Sequence, residues 1–264
     1  MLYSVKRDNI YEDRISFYKK RGTTSHITQL EFESEPAVGD GVTKDCYTAF
    51  FDKFYEKLEG TVEKVPVDDL IDDEELELIG SIIHHAFIQY NIFPLQLSKA
   101  SLKKVLYDTT NKEDLMKSFL NFVTSSEAEH IRNFIDGKEI KEQALVDVLY
   151  SYNIYQKPTK DNVIDLVMRA SHTALIKRPY LQFVQISNGM GSFWKCIDES
   201  MIDSLYSLCT PTADSLIKQL LADETCPQDA TITTYLHRYI RNCSKNDLQL
   251  LVRFITVWIN YLVT

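Results

Sequence analysis

Apolar side chains recur along most of this chain at intervals of three and four residues, the spacing of one face of an α-helix. The clearest example runs from Lys44 to Leu58, with apolar positions at 47, 50, 51, 54, 55 and 58. Thr43 is a suitable N-cap for this segment and Gly60 a suitable stop. The pattern therefore predicts an amphipathic helix over residues 44–58.

The same periodicity predicts helices through the rest of the chain. An apolar stripe at 76, 79, 83, 86, 87 and 90 follows the acidic run "VDDLIDDEELE", and carboxylates near a helix start are stabilised by the helix dipole. We expect caps at Thr159 or Asp161, at Thr212, and at Ser244 with Asp247. Further helices are predicted at Leu102–Tyr107, Glu113–Val123, Glu127–Ile135, Gln143–Tyr150, Asn162–Ile176, Asp198–Leu208, Asp214–Leu221, Thr231–Asn242 and Asp247–Tyr261.

Strand signals are few. The segment Ser25–Phe32 has a loose alternation of apolar and polar residues, which indicates one short strand, and "EPAVGDGV" after it is a turn. The stretch "NGMGSFW" at 188–194 is interpreted as a loop. With only 8 glycines and 7 prolines, the composition disfavours a turn-rich β-sandwich. The predicted fold class is α+β, predominantly α-helical, with a few short strands.

Charge and hydropathy narrow the range of partners. The chain carries 38 acidic and 29 basic side chains, a formal charge of −9, which repels phosphate backbones and disfavours nucleic acid as a partner. The most apolar run, Leu250–Val263, contains Arg253 and Asn260 and is shorter than the roughly 20 residues that a membrane span needs. We therefore expect neither a nucleic acid nor a membrane partner.

The cysteines indicate the compartment. Five cysteines occur without any C-x-x-C pair, so neither a zinc knuckle nor a secreted disulfide framework is predicted. The first residues have charges where a signal peptide has an apolar core. Both observations favour a cytoplasmic or nuclear protein.

Two adjacent histidines, His84 and His85, are the most conspicuous candidate for metal or acid–base chemistry. On a helix they lie about 100° apart, and neither has a metal-ligating residue four positions away. The acidic run 68–77 lacks the glycine of a calcium loop. We therefore predict packing histidines, no metal site and no cofactor.

Several segments, in this order, resemble the amino-terminal lobe of HECT-type ubiquitin ligases. "YSVKRDNIYED" resembles the family's opening, and "LEFESEPAVGDGVTKDCYTAFFDKF" resembles its strand, turn and "GG-x-x-REFF" helix. The most specific match is "ELELIGSIIHHAFIQYNIFPLQLSKASLKKVL", which resembles the central helix and the segment after it. "PTKDNVIDLVMRASHTALIKRPYLQFVQISNGM" and "YLHRYIRNCSKNDLQLLVRFIT" resemble later helices of the lobe.

The resemblance implies a large subdomain from residues 1–107 and 158–264, with residues 108–157 as a small inserted subdomain that docks a ubiquitin-conjugating enzyme. Ubiquitin is a second candidate partner, and the protein substrate is not indicated. Aromatic residues at interfaces supply much of the binding energy. The predicted partner-binding residues are therefore the aromatics of the insert: Phe119, Phe122, Phe134, Tyr150, Tyr152 and Tyr155. These aromatics could instead form the insert's own core.

The family's catalytic cysteine belongs to a separate carboxy-terminal lobe, which the resemblance does not cover. Val257 stands where the family has a hinge glycine, and Cys226 precedes the closing helices, whereas the catalytic loop should follow them. We therefore expect no catalytic residue here: the chain is part of a ubiquitin-protein transferase and inactive alone. The alternative is a non-catalytic helical protein-interaction module without a role in ubiquitin chemistry.

Overall fold

The computed structural model describes residues 2–21, 29–35, 37, 39–67, 70–138, 142–208, 210–220, 227–244, 247–248 and 250–252. Over these residues the chain is predominantly helical, with a few strands of two to four residues. The α+β, mostly α-helical class is confirmed. The helices are α1 (Ile10–Arg21), α2 (Asp40–Glu56), α3 (Asp73–Tyr90), α4 (Lys99–Tyr107), α5 (Lys112–Phe122), α6 (Ser125–Ile135), α7 (Glu142–Ser151), α8 (Val163–His172), α9 (Tyr180–Met190), α10 (Ser192–Cys196), α11 (Glu199–Leu208), α12 (Ala213–Gln219) and α13 (Pro227–Asn242).

The strands form two small sheets. Strand β1 (Leu2–Val5) pairs in parallel with β2 (Gln29–Phe32), and β3 (Glu59–Gly60) pairs antiparallel with β4 (Lys64–Val65). A parallel pair needs a crossover, and α1 lies in the connection between β1 and β2. The predicted strand 25–32 is therefore observed over residues 29–32, and its residues 25–28 lie outside the described part.

Helix α2 begins four residues earlier than predicted, at Asp40, and ends at Glu56. Thr43 is not its N-cap, so that prediction is wrong. The Thr43 hydroxyl is buried and accepts a hydrogen bond from the backbone N–H of Leu30 at 3.0 Å. Thr43 thus joins the helix to β2, and Gly39 takes the N-cap position.

Helix α3 follows its predicted pattern closely. The Asp72 carboxylate caps it by accepting a hydrogen bond from the backbone N–H of Glu75 at 2.8 Å, and three acidic residues occupy the first turn. Leu76, Ile79 and Ile83 on the predicted stripe are fully buried. The acidic run therefore starts the central helix, as its charge pattern predicted.

The contact between α3 and α9 is closer than side chains would allow. A Cβ atom on Gly80 would lie 2.1 Å from the carbonyl oxygen of Ile186, and one on Gly189 would lie 1.8 Å from that of Glu77. The Ser81 hydroxyl lies 3.2 Å from the carbonyl oxygen of Gly189. The two helices therefore pack backbone against backbone.

The interpretation of 188–194 as a loop is wrong. Asn188 to Met190 form the last turn of α9, and α10 starts at Ser192. Only Gly191, with φ +82°, breaks the helix. Gly189 lies within α9 and contacts the backbone of α3 at Glu77. From the sequence alone it is interpreted as a loop glycine.

Helix α1 also lies outside the predicted set. Its inner face includes Arg14, which is 1% exposed and lies 4.6 Å from the ring centroid of Tyr47 and 5.1 Å from that of Tyr18. Cations are attracted to the faces of aromatic rings. A charged residue on the buried face interrupts the apolar stripe, which explains why periodicity missed this helix.

Caps predicted later in the chain have mixed outcomes. Thr212 caps α12, and Ser244 pairs with Asp247, as predicted. Neither Thr159 nor Asp161 caps α8, whose N-cap is Asn162. The Asn162 side chain instead accepts a hydrogen bond from the Thr159 backbone N–H at 2.7 Å and holds the loop before the helix.

One contiguous apolar core extends from Val5 to Leu205 and includes the buried side chains of segment 108–157. A second, smaller cluster joins α12, α13 and the helical residues 247, 248 and 250–252 through Leu216, Ile240, Leu248 and Val252. The predicted domain boundaries remain a prediction. Among the described residues, no helix is both long and apolar enough to cross a membrane.

Because Gly189 touches the backbone of α3, we expect Gly189→Ala to lower the free energy of unfolding by about 3 kcal/mol, the upper range for overpacking a tight contact. Urea denaturation measures this change. The matched control is Gly41→Ala in the first turn of α2, where an added Cβ meets nothing within 4 Å. It should leave stability unchanged or raise it by about 0.5 kcal/mol. Equal effects of the two substitutions would contradict the backbone contact.

Candidate partner-docking site

Helices α5, α6 and α7 lie in segment 108–157 and pack with α8. Their extents agree with the predicted helices to within two residues. The loops between α4, α5 and α6 are short because Asn111 caps α5 and Thr124 forms a capping box with Glu127 in α6. The buried apolar side chains are Leu115, Phe119 and Phe122 of α5, Ala128 and Ile131 of α6, and Leu145, Val148 and Leu149 of α7.

The structure divides the six predicted partner-binding aromatics into two groups. Phe119 and Phe122 are buried, and Phe134 and Tyr152 pack half-buried against the core. The Phe119 ring contacts the Tyr152 ring edge-on, with centroids 5.4 Å apart. These four side chains hold the inserted helices together, so they present little surface to a partner.

Tyr150 and Tyr155 form the second group, here called the Tyr150–Tyr155 patch. They are 48% and 70% exposed, and their rings meet edge-on at 5.4 Å. The chain turns between them at Asn153, whose φ is +60°, and the Tyr155 hydroxyl donates a hydrogen bond to the Asn153 side chain at 3.1 Å. The buried side chain of Ile154 anchors this turn. Two exposed rings are therefore held in fixed positions.

Both ends of α5 are fastened to the rest of the molecule. At its carboxyl end, the backbone N–H groups of Thr61 and Val62 donate to the carbonyl oxygens of Phe122 and Asn121 at 3.0 and 2.9 Å. These bonds satisfy carbonyls that a helix end leaves without partners. The turn between β3 and β4 thus caps α5.

At the amino end of α5, a lysine–carboxylate cluster joins three helices. Lys103 is 7% exposed and contacts Glu199 at 2.8 Å, Asp114 at 2.9 Å and Asp203 at 3.2 Å. Burial opposes its charge, yet the hydrogen bonds that Lys103 donates to Glu199, Asp114 and Asp203 outweigh burial and raise the pKa of Lys103. Lys99 also contacts Asp114, at 2.9 Å. The cluster fixes α5 to α4 and α11.

Sequence reasoning missed this cluster. Lys99 and Lys103 stand one helical turn apart, which is the only local signal. Along the chain, Lys103 lies 11 residues from Asp114 and 100 residues from Asp203. Such pairs become visible only once the helices are placed.

The two histidines contact different partners. His84 Nδ1 accepts a hydrogen bond from the indole N–H of the buried Trp194 at 3.2 Å, and His85 Nδ1 lies 2.8 Å from the Tyr18 hydroxyl. Burial lowers the pKa of both, and His84 and Arg14 lower that of His85 further. Both rings line a surface groove of about 660 Å³ between α3 and α10.

These contacts give the histidines packing roles. A buried tryptophan N–H requires an acceptor, and His84 supplies it. Within the described residues, no group of three or more His, Cys, Asp or Glu side chains is placed to hold a metal ion.

None of the described cysteines forms a disulfide. Cys46 is buried, and burial raises the pKa of its thiol to about 12. Cys196 is exposed and Cys243 is half-buried. Cys209 and Cys226 lie outside the described residues. From its place in the sequence, Cys226 is not expected to be the acceptor cysteine.

No protein-family model matches the chain, and no curated protein matches it. The resemblance to the HECT amino-terminal lobe therefore rests on the sequence segments quoted above. The site described here is defined by its geometry: a packed group of helices that displays two exposed tyrosines.

The lowered histidine pKa values imply a pH-dependent stability. In the unfolded chain each histidine titrates near its ordinary pKa of about 6.5, so below that pH the unfolded chain binds more protons than the folded chain. The contribution of these two histidines to the free energy of unfolding is therefore fully present above about pH 7. It is lost as the pH drops towards their folded pKa values. We expect a His84→Gln/His85→Gln variant to be less stable at neutral pH and to lose less stability on acidification.

Urea unfolding at several pH values between about 7.5 and 5.5 measures this dependence. The control is His172→Gln, which removes an exposed histidine on α8 and should keep the wild-type slope. A double variant that retains the full wild-type slope would show that His84 and His85 do not produce it.

Proposed function

We propose that this chain is a HECT-like amino-terminal lobe that recruits a ubiquitin-conjugating enzyme through the Tyr150–Tyr155 patch. The observation that carries the proposal is the display of two exposed tyrosine rings around a turn that the buried Ile154 anchors. The quoted sequence resemblance supports the identity of the partner, and the patch supplies its contact surface. The inserted segment 108–157 is the docking subdomain, and the flanking segments form the large subdomain.

Tyrosine suits such a surface. It buries a large area on binding, loses little conformational freedom and retains a hydroxyl for hydrogen bonding. Because the Asn153 turn already fixes Tyr155 beside Tyr150, little further ordering is needed on association. Preorganisation of this kind increases affinity by reducing the entropy that binding costs.

The docking surface is therefore narrower than the six aromatics first predicted. We assign direct contact to Tyr150 and Tyr155, while Phe119, Phe122, Phe134 and Tyr152 support the surface from within. The fastening of α5 at both ends holds this support against the lobe.

In this proposal residues 1–264 provide recruitment and no acceptor cysteine. The thiolate is the nucleophile of a cysteine relay, and a buried thiol with a raised pKa, such as Cys46, is inert. The chain would act in the cytoplasm or nucleus, with ubiquitin as a further partner.

The second candidate function is a non-catalytic helical interaction module. It is favoured by the packing of four of the six insert aromatics into the core, which is the arrangement of a structural bundle. The same tyrosine patch would then bind a protein outside the ubiquitin pathway.

The first test is a calorimetric titration of the chain with a panel of conjugating enzymes. We expect at least one enzyme to bind, and Tyr150→Ala/Tyr155→Ala to weaken that binding by about tenfold or more, since tyrosine hot spots contribute more than 1 kcal/mol each. Because both side chains are exposed, the thermal midpoint should change little.

The matched control is Tyr180→Ala, which removes a tyrosine of similar exposure (43%) on α9. It should bind like the wild type. Absence of binding by every enzyme would favour the interaction module, and unchanged binding by the double variant would move the docking site away from the patch.

A second test concerns the relay. Incubation of this chain with a charged conjugating enzyme should give no reducible ubiquitin adduct on a non-reducing gel, because no acceptor cysteine is assigned. An adduct that forms on the wild type and is lost in Cys226→Ala would identify Cys226 as an acceptor and contradict the assignment.

A further inference from the structure

Helix α13 displays a stripe of large apolar side chains that are more than half exposed. Ile232, Tyr235 and Tyr239 are spaced three and four residues apart, so they lie along one side of the helix. They are 62%, 67% and 56% exposed. Scattered exposed apolar residues are ordinary, whereas a row of three large ones along a helix is typical of a binding surface.

A basic stripe lies beside the apolar one. His237, Arg238 and Arg241, with Thr234 and Asn242, line a groove of about 510 Å³. Among the described residues, neither Arg238 nor Arg241 has an ion-pair partner, and His237 Nε2 is buried without a hydrogen bond. Arg178 and Arg7, by contrast, are paired with glutamates.

The opposite side of α13 holds the helix in place. Ile240 is fully buried and packs with Leu216, Leu248 and Val252, while Leu236 and Cys243 flank this cluster. The two exposed stripes thus lie outside this packed side of the helix. Tyr235 and Arg238 lie three residues apart, where the apolar stripe meets the basic one.

We propose that this face of α13 binds an acidic amphipathic segment of another protein, most simply a helix with alternating apolar and carboxylate positions along one side. Tyrosine and arginine are the residue types most enriched among interface hot spots. Guanidinium groups form paired hydrogen bonds with carboxylates. Such bonds would replace the hydrogen bonds to water that Arg238 and Arg241 lose on binding. The partner's apolar residues cover Ile232, Tyr235 and Tyr239.

The local charge of this face, and not that of the whole chain, favours an acidic segment as the occupant, because Arg238 and Arg241 lie together on it. At a net charge of −9, the rest of the surface repels a polyphosphate backbone, and two copies of the chain repel each other. A short acidic helix avoids most of that repulsion because it contacts only the basic stripe. This surface is independent of the Tyr150–Tyr155 patch and of the function proposed for it.

The experiment uses a fluorescent amphipathic peptide of about 16 residues built from Leu and Glu, long enough for a marginal helix. Its binding to the whole chain is followed by fluorescence anisotropy. We expect saturable binding that weakens as salt rises, because the contacts include charge pairs near the surface. Arg238→Glu/Arg241→Glu and Tyr235→Ala/Tyr239→Ala should each weaken it by about tenfold or more.

Two controls separate the face from general charge. Lys6→Glu/Lys195→Glu makes the same change in net charge at exposed positions on other elements, and Tyr180→Ala removes an exposed tyrosine elsewhere. Both should bind the peptide like the wild type. A peptide of the same composition in scrambled order, without an apolar side, should bind at least about tenfold more weakly.

Each remaining outcome overturns the proposal. If the scrambled peptide bound as tightly as the amphipathic one, the binding would be general charge attraction and not recognition by this face. The same would follow if Lys6→Glu/Lys195→Glu weakened binding as much as Arg238→Glu/Arg241→Glu. Self-association of the chain that is abolished by Tyr235→Ala/Tyr239→Ala would assign the face to a second copy. Amide NMR spectra of the variants establish that they are folded, so a loss of binding reports on the face itself.

Discussion

The close approach of α3 and α9 is the constraint on which the rest of the fold depends. Gly80 and Gly189 permit it because neither has a side chain between the two backbones. Leu76, Ile79 and Ile83 are on α3, and Phe183 and Ile186 are on α9; all are fully buried. The contact also brings α10 to α3, where Trp194 donates its hydrogen bond to His84. A conspicuous histidine pair and a glycine-rich stretch, distant in sequence, thus meet at one helix crossing.

Much of the fold could be predicted from local pattern, and the failures share a cause. The apolar stripe of α3 and its N-cap at Asp72 could be predicted because each depends only on residues close together in the sequence. Thr43 also has the local character of a cap, but its hydroxyl bonds to Leu30 of a strand that the local pattern cannot place. Gly189 has the local character of a breaker, although its lack of a side chain serves packing. In each failure a tertiary neighbour decided the role of the residue.

The candidate site shows the same limit more sharply. Composition alone indicated that the insert is rich in aromatic rings, but it could not separate Phe119 from Tyr155. The separation arises because α5 turns Phe119 and Phe122 towards the core, while the left-handed residue Asn153 turns the chain outward after α7. The lysine–carboxylate cluster and the exposed stripes of α13 were missed for related reasons. A cluster needs distant partners, and an exposed stripe resembles a buried one until the covering elements are known.

The α3–α9 contact also governs the order in which this chain can fold. Ser81 and Gly189 are 108 residues apart, and closing an unstructured loop of that length costs about 4 kcal/mol of chain entropy. The helices α5, α6 and α7 lie inside this loop and make many of their contacts with one another and with α8. Elements with local contacts form early, and their formation shortens the loop that remains to be closed. Segment 108–157 is thus a compact spacer whose own folding brings the two glycine-bearing helices within reach of each other.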